Sequence, residues 1–294
     1  MTDAQRITDA LRGRWHGHYG LCFCPAHPNT QTPALSISDG AEGRLLAKCH
    51  AGCAFPDIMD ALRGLGLVNG GGTYAPPDPF EFARHMAEKK ARIEKCSHQA
   101  ARLWGEAWPI AGTVGEKYLR ERGITCPLPA SIRFHPTCWH PGGSLFPAMV
   151  AVVEGSEGFA VHRTYLRANG AGKADVEPAK AMLGKCAGGA VRLSHSAGPL
   201  VIAEGIETGL SLLCGQLTEP ATVWAALSTS GIRGLCLPRQ PGRLVIAPDG
   251  DAPGREAAHV LAAQADALGW DVSLLPAPDG RDWNDILLLK GMAA

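Results

Sequence analysis

The 294-residue chain has no apolar run near the roughly 18 to 20 residues that a bilayer-crossing helix requires, and its start, MTDAQRITDALRGRW, lacks the apolar core of a secretion signal. A soluble protein of the cytoplasm, with no membrane partner, is the expectation. Net charge is also missing: 28 Lys and Arg balance 28 Asp and Glu, so only the distribution of charge can speak for or against a nucleic-acid partner. No G-x-x-x-x-G-K-[S/T] phosphate loop is present, and the nearest stretch, Gly112-Thr-Val-Gly-Glu-Lys117, has the wrong spacing. The 10 cysteines do not form a disulfide framework either, because four sit near histidines in the first fifth of the chain and the rest are scattered singly. In a reducing compartment such a cluster reads as metal ligation. What the chain does have is a 46% hydrophobic content, enough to supply the cores of two or three domains.

The metal-ligating signal comes first along the chain. After a short amphipathic helix candidate at residues 4–13 come Cys24-Pro-Ala-His27 and Cys49-His-Ala-Gly-Cys53, two close donor pairs separated by the strand-like runs ALSIS and GRLLAK, with a turn at Asp39-Gly40. A hairpin with one pair before its first strand and the other after its second brings four N/S donors together, as in a structural zinc ribbon. The expected ligands are Cys24, His27, Cys49 and Cys53, with Cys22 and His50 as spare donors able to replace one of them. The competing reading is a set of buried thiols in a small β unit, but buried cysteines do not usually arrive as C-x-x-H and C-x-x-x-C, and a unit this small needs a staple to fold. A helix over Phe55–Val68 follows, and the Gly/Pro-rich stretch 69–79 reads as a linker.

A long helix is expected from about Phe80 to Trp108, its modest basic excess a solvated face rather than a binding stripe, and a shorter one within Gly112–Ile124, ending at Gly123. SIRFHP, FPAMVAVVE and GFAVHRTYL carry strand signals. The segment from His162 to Leu193 holds Arg163, Arg167, Lys173, Lys180, Lys185 and Arg192 against only Asp175 and Glu177. Gly-rich, basic β segments with an adjacent aromatic, here Tyr165, can cradle polyphosphate or a nucleic-acid backbone, although a solvated loop has the same composition.

From Pro199 the chain alternates short apolar runs with helices: LVIA, TVWAAL, RLVIA and DVSLLPA are four candidate strands of a parallel sheet with right-handed crossovers. Glu204 ends the first strand, Asp249 and Asp251 the third, and Asp282 and Asp285 follow the fourth, so all five acids are expected at the C-terminal edge of the sheet, where open α/β folds bind ligands. Helix capping would account for Asp251 or Asp285 singly but not for the set. Carboxylates gathered there repel unless a cation joins them, and an all-oxygen donor set suits Mg²⁺ or Mn²⁺.

Glu204-Gly after the first strand, Asp249-Gly-Asp251 after the third and the later Gly-Arg-Asp282-Trp-Asn-Asp285 resemble the Toprim domain of bacterial-type DNA primases, topoisomerases and related nucleases. The CPAH and CHAGC pairs resemble the zinc-binding domain that precedes Toprim in primases, and EKYLRERGI, HRTYL…GKA and DWNDIL are similar to motifs in primases of phages, plasmids and integrated elements. The resemblance runs from about Leu21 to Leu289. It implies an α/β fold: a zinc ribbon over residues 1–68, a linker at 69–79, a mixed helical and β-rich basic region at 80–196, and a Toprim-like parallel sheet with flanking helices at 197–294.

It further implies synthesis of short RNA primers on single-stranded DNA from ribonucleoside triphosphates. Asp249 and Asp251 would be the main ligands of Mg²⁺ or Mn²⁺, Asp282 and Asp285 would complete the site, and Glu204 would be a further ligand or a general acid/base. Arg163, Lys173 and Lys180 would hold nucleotide or template phosphate, and Zn²⁺ would be structural. Without a phosphate loop the chain is no fused primase-helicase, which makes a separate helicase or replication protein the expected partner. A Toprim-type nuclease and a non-catalytic nucleic-acid binder remain alternatives. A topoisomerase is disfavoured, because no extended region for a tyrosine nucleophile and strand-passage gate is present.

Overall fold

The computed structural model describes residues 3–28, 32–40, 45–68 and 79–293. The chain divides into two compact units, Met1–Asp78 and Pro79–Ala294. The expected linker, Pro79 apart, lies outside the described residues.

In the first unit α1 (Asp3–Ala10), β1 (Arg14–Trp15), β2 (Gly20–Cys22), β3 (Leu35–Asp39), β4 (Leu45–Cys49) and α2 (Phe55–Gly64) follow in order. The strands form an antiparallel sheet in the order β1-β2-β3-β4. β3 and β4 are the hairpin read from the sequence, whereas β1 and β2 are too short to show a period. On β3, Leu35 and Ile37 turn inward while Ser36 and Ser38 do not, so one face packs with Ile7 of α1 and Ile58 and Leu62 of α2. Where α1 meets β2 a side chain has no room: a Cβ on Gly20 would lie 1.8 Å from Thr8 Oγ1. This core is small, and Cys22, Cys24 and Cys49 are part of it.

The second unit begins with α3 (Pro79–Glu106), β5 (Trp108–Pro109), α4 (Val114–Glu121), β6 (Ile132–Trp139), β7 (Leu145–Val153), β8 (Ala160–Tyr165), β9 (Lys180–Leu183) and β10 (Val191–Arg192). It continues with β11 (Leu200–Ala203), α5 (Ile206–Leu213), β12 (Thr222–Ala225), α6 (Thr229–Arg233), β13 (Arg243–Ala247), α7 (Ala252–Ala267), β14 (Asp271–Leu274) and α8 (Trp283–Ala293). Strands β5 to β9 form an antiparallel sheet in chain order. One face carries α3, whose Ala100, Leu103 and Trp104 pack with Val150, Val161 and Tyr165. From the other face Ile132, Met149 and Ala151 enter a core shared with Val201, Leu210 and Val223 of the following segment. Among the described residues of α3, the ion pairs Arg84–Glu88, Lys90–Glu94 and Arg102–Glu106 lie on its solvated side.

The last segment forms a sheet in the order β10-β12-β11-β13-β14, with β11 to β14 parallel and β10 an antiparallel edge. All four residues of β11 are buried, which is why it reads as an unbroken apolar run. On the face covered by α7, Ala257, Ala258 and Leu261 pack on Leu244 and Ile246. β10 comes from before residue 197, the boundary read from the sequence; two residues pairing as an edge strand have no periodicity to betray them.

Candidate active site and metal centre

In the first unit the thiols of Cys24, Cys49 and Cys53 and a ring nitrogen of His27 all lie within 4.8 Å of one another. His27 Nδ1 is 3.1 Å from Cys53 Sγ and 3.8 Å from Cys49 Sγ. Tetrahedral Zn²⁺ with bonds of about 2.0–2.3 Å needs donors about 3.3–3.8 Å apart, so the set is gathered near the spacing such an ion requires. The chemistry agrees: burial pushes the Cys24 thiol up to about 12, a poor state for a thiolate unless a cation sits beside it. The two spare donors stay out. Cys22 is buried with its thiol donating to the Leu35 carbonyl at 3.5 Å, and His50 Nε2 pairs with Ser36 Oγ at 2.7 Å on the surface.

In the second unit β11 and β13 run side by side in register, Ala203 opposite Ala247, so Glu204 and Asp249 leave the sheet at the same edge. Between Asp249 and Asp251 only glycine fits, because a Cβ on Gly250 would lie 2.0 Å from the Pro278 carbonyl oxygen. That contact draws the loop before α8 against the acidic turn and brings Asp282 near Asp249. Burial pushes Glu204 up to about 7, with repulsion from Asp249 and Asp251 adding to it and Lys180 opposing. Burial likewise raises Asp249 to about 6, helped by Asp282 and Asp251 and resisted by Thr208, whose hydroxyl donates to Asp249 Oδ1 at 3.3 Å, and by Lys180. Glu204 Oε2 is buried and makes no hydrogen bond. A buried, unpartnered oxygen among mutually repelling carboxylates is the donor set a hard divalent cation would satisfy. Among the described residues only the Cys₃His group brings three or more metal-binding atoms within 4.8 Å of one another.

The five acids are not equivalent. Asp251 is exposed and caps α7 through Oδ1, which accepts from Gly254 N at 2.7 Å. Asp282 and Asp285 cap the start of α8 reciprocally: Asp285 N donates to Asp282 Oδ1 at 2.8 Å and Asp282 N to Asp285 Oδ2 at 3.1 Å. Asp285 is exposed, and its carboxylate serves the helix end rather than the acid cluster.

The basic residues separate in the same way. On β8 the pleat sends His162 and Thr164 to one face and Arg163 and Tyr165 to the other. Lys180, directly opposite Thr164, shares the His162 face and reaches Glu207 at 3.2 Å, and Lys173 stands 4.0 Å from the same carboxylate. Arg163 does not join them. Its guanidinium is buried on the α3 side, donating to the carbonyls of Trp139 at 2.9 Å and Met182 at 3.3 Å and lying 5.7 Å from the Trp139 and Tyr165 ring centres. The expectation that Arg163 contacts nucleotide beside Lys173 and Lys180 is therefore corrected: strand alternation puts it on the wrong face.

Several members of the site went unread in the sequence. Glu207, in the first turn of α5, accepts a hydrogen bond from the Tyr118 hydroxyl at 2.8 Å. Burial alone would raise its carboxyl, but Lys180, Lys173, a backbone hydrogen bond and the Tyr118 hydroxyl together hold it well below the usual range. Arg122 lies over the Tyr118 ring at 5.4 Å and also feels Glu207 and Asp282. Tyr118 and Arg122 are four residues apart, the spacing that puts both on one helix face; that was the available signal. α4 is placed firmly for this: Thr113 Oγ1 caps it, accepting from Gly115 N at 3.2 Å and Glu116 N at 3.4 Å, and Glu116 Oε2 accepts from Gly112 N at 2.7 Å.

Residues 199–293 match the family described as Toprim domain, and residues 94–193 match a family described as a domain of unknown function (DUF7146). No curated protein matches the sequence. Among solved structures, the chain is similar to the zinc-binding and RNA polymerase domains of the Aquifex aeolicus primase, at 13% identity and a TM-score of 0.42, covering 100% of this chain and 81% of that one. A DNA primase domain from Pseudomonas aeruginosa matches at 16% identity and a TM-score of 0.41, covering 66% of this chain and 75% of that one. The RNA polymerase domain of Mycobacterium tuberculosis primase DnaG matches at 16% identity and 0.39, covering 69% and 81%. Residues 199–293, with their acid-edged parallel sheet, are thus a Toprim domain, and the chain's other unit carries a Cys₃His cluster of zinc-binding type.

Proposed function

We propose that the protein is a DNA primase, a nucleotidyltransferase that makes short RNA primers on single-stranded DNA for the replication of a phage, plasmid or mobile element. The observation that carries this reading is the pairing within one unit of two opposed charge sets: the acid edge of Glu204, Asp249, Asp251 and Asp282, and a basic shelf of Lys173, Lys180 and Arg122 on elements that precede the Toprim domain. Phosphoryl transfer needs both, since the reacting phosphate gathers negative charge while the attacking hydroxyl must be brought in line with it.

Glu204, Asp249 and Asp251 would hold Mg²⁺ or Mn²⁺, with Asp282 completing the set. When bound, the ion neutralises phosphate charge and favours ionisation of the 3′-hydroxyl. The chain's own groups do the rest. Lys173 and Lys180 receive the triphosphate, whose β- and γ-phosphates leave as pyrophosphate, and Arg122 extends the positive surface towards Asp282. Zn²⁺ at Cys24, His27, Cys49 and Cys53 would be structural, because four protein ligands leave no open position. A separate helicase or replication protein would supply the unwound template. No helix among the described residues is long and apolar enough to cross a membrane, in keeping with a cytoplasmic setting.

The test is incubation of the full chain with single-stranded DNA, labelled ribonucleoside triphosphates and Mg²⁺ or Mn²⁺, beside an Asp249→Ala/Asp251→Ala variant. Template-dependent oligoribonucleotides made by the wild type and absent from the variant support the proposal. Shortening of the template without nucleotide incorporation would instead mark a Toprim nuclease.

A further inference from the structure

Glu207 is a carboxylate the proposed chemistry does not use, yet it is among the most deeply placed charges of the molecule, with 5% of its surface exposed. Its surroundings are specific. Oε1 accepts from the Tyr118 hydroxyl at 2.8 Å and faces Lys173 Nζ at 4.0 Å, and Oε2 accepts from Lys180 Nζ at 3.2 Å. The two lysines come from different places, one from the turn after β8 and one from β9, and each keeps about a third of its side chain exposed, 34% and 35%.

The charges do not cancel. Glu207 is one carboxylate against two ammonium groups, with Arg122 a third cation within electrostatic reach, and the further acids that feel these cations, Glu204, Asp249 and Asp282, are those of the metal edge. A buried ion pair is weak evidence of stabilisation, since desolvation offsets most of its attraction. An unbalanced group with a cationic surplus is weaker still as structural glue. Two ammonium groups this close repel, and without a shared anion one would turn to solvent. Glu207 is thus the counter-charge that both ammonium groups share. The surplus faces the acid edge, where Lys180 is felt by both Glu204 and Asp249. Glu207 is also fixed at the right place by the chain: it lies three residues after Glu204 in the first turn of α5, with Thr208 beside it bonded to Asp249. A helix start also favours a negative side chain.

We infer that Glu207 is a positioning residue that makes Lys173 and Lys180 into a two-ammonium clamp for adjacent phosphates, so that the site selects a nucleoside triphosphate or a free polyphosphate over a monophosphate. This rests on the proposed primase activity for its kinetic readout but not for its binding readout. The clamp holds two phosphates at once; a single phosphate engages only half of it.

Two measurements test it. In primer synthesis, Glu207→Gln keeps the shape and loses the charge, and it is expected to raise the KM for ribonucleoside triphosphate about tenfold while kcat and template affinity stay within about threefold. Glu207→Asp, which restores the charge on a shorter stem, recovers part of that loss. Tyr118→Phe, a milder change, shifts KM in the same direction by a smaller factor. In calorimetry without template or synthesis, the wild type binds tripolyphosphate more tightly than orthophosphate, and Glu207→Gln removes most of the difference. An unchanged KM with unchanged tripolyphosphate binding overturns the clamp, as does a joint fall of kcat, template affinity and melting temperature that Glu207→Asp does not reverse. If the wild type makes no primers but shows Glu207-dependent tripolyphosphate binding, the clamp stands and the primase reading falls. If it makes primers and Glu207→Gln alters neither KM nor tripolyphosphate binding, the reverse holds.

Discussion

His162 and Arg163 are neighbours on β8, and the pleat of that strand turns the imidazole towards Lys180 and Glu207 and the guanidinium towards Trp139 and Tyr165, so adjacent residues report on opposite faces of one sheet. Burial lowers the His162 ring to about 4, the positive charge of Lys180 adds to this, and Glu207 opposes it. Because the folded-state value lies below the ordinary 6.5, the stability this residue contributes is fully present above pH 6.5 and is lost as pH falls from there towards 4. The loss should amount to about 2–3 kcal/mol across that window. His162→Gln removes the linked proton, so the difference in unfolding free energy between wild type and variant, followed by denaturant titration, should shrink from pH 7 to pH 4. A difference that does not vary with pH would show that the ring is charged or solvated in the fold.

The same residues show what a sequence can carry at this scale. Cys24, His27, Cys49 and Cys53 could be read because ligand spacing is a local property. The Tyr118–Glu207 bond joins residues 89 apart, and nothing local announces it. For Arg163 the residue type was legible and the face was not, since alternation fixes a relative phase and the neighbouring sheet and helix decide which phase points at the site.

At the level of elements, the acidic turns show one carboxylate chemistry used for two ends. β11 and β13 were readable because a strand buried on both faces must be apolar throughout and must stop where the charge begins. The roles of the acids beyond them were not, because an Asp that caps a helix and an Asp that faces a cation have the same sequence signature. At the start of α8 both Asp282 and Asp285 cap the helix, and what separates them is that Asp282 also bears on Asp249 while Asp285 is exposed. Asp285→Ala should therefore cost about 1 kcal/mol of stability, the usual worth of a helix cap, and leave primer synthesis within about threefold of wild type. Asp249→Ala should abolish synthesis without that loss of helix stability, since it removes a carboxylate that burial and Asp282 already disfavour as an anion. Thermal melting and the template assay, run on both variants, give the comparison. A large loss of synthesis in Asp285→Ala would return that residue to the metal-facing set.

Across the whole molecule the two units differ in what holds them. Residues 79–293 contain two sheets with a shared apolar core and further cores under α3 and α7, so hydrophobic burial alone can sustain them. The first unit has one small cluster, in which Cys24 and Cys49 stand among Ile7, Leu35, Ile37, Ile58 and Leu62, and its core is therefore continuous with its metal-binding residues. Below about 70–80 residues such a core supplies only about 3–5 kcal/mol, whereas a structural Zn²⁺ site contributes about 10–16 kcal/mol in small domains. Removing zinc with a strong chelator should accordingly unfold residues 3–68 and leave 79–293 folded. Limited proteolysis would then give early cuts confined to the first unit and a resistant fragment beginning near Pro79, and Cys49→Ser should reproduce the pattern without chelator. Restoring Zn²⁺ to the chelated wild type, but not to Cys49→Ser, should return the protection. If the first unit stayed resistant without metal, its four donors would be buried thiols and a histidine packed for their own sake, the competing reading that spacing alone argued against.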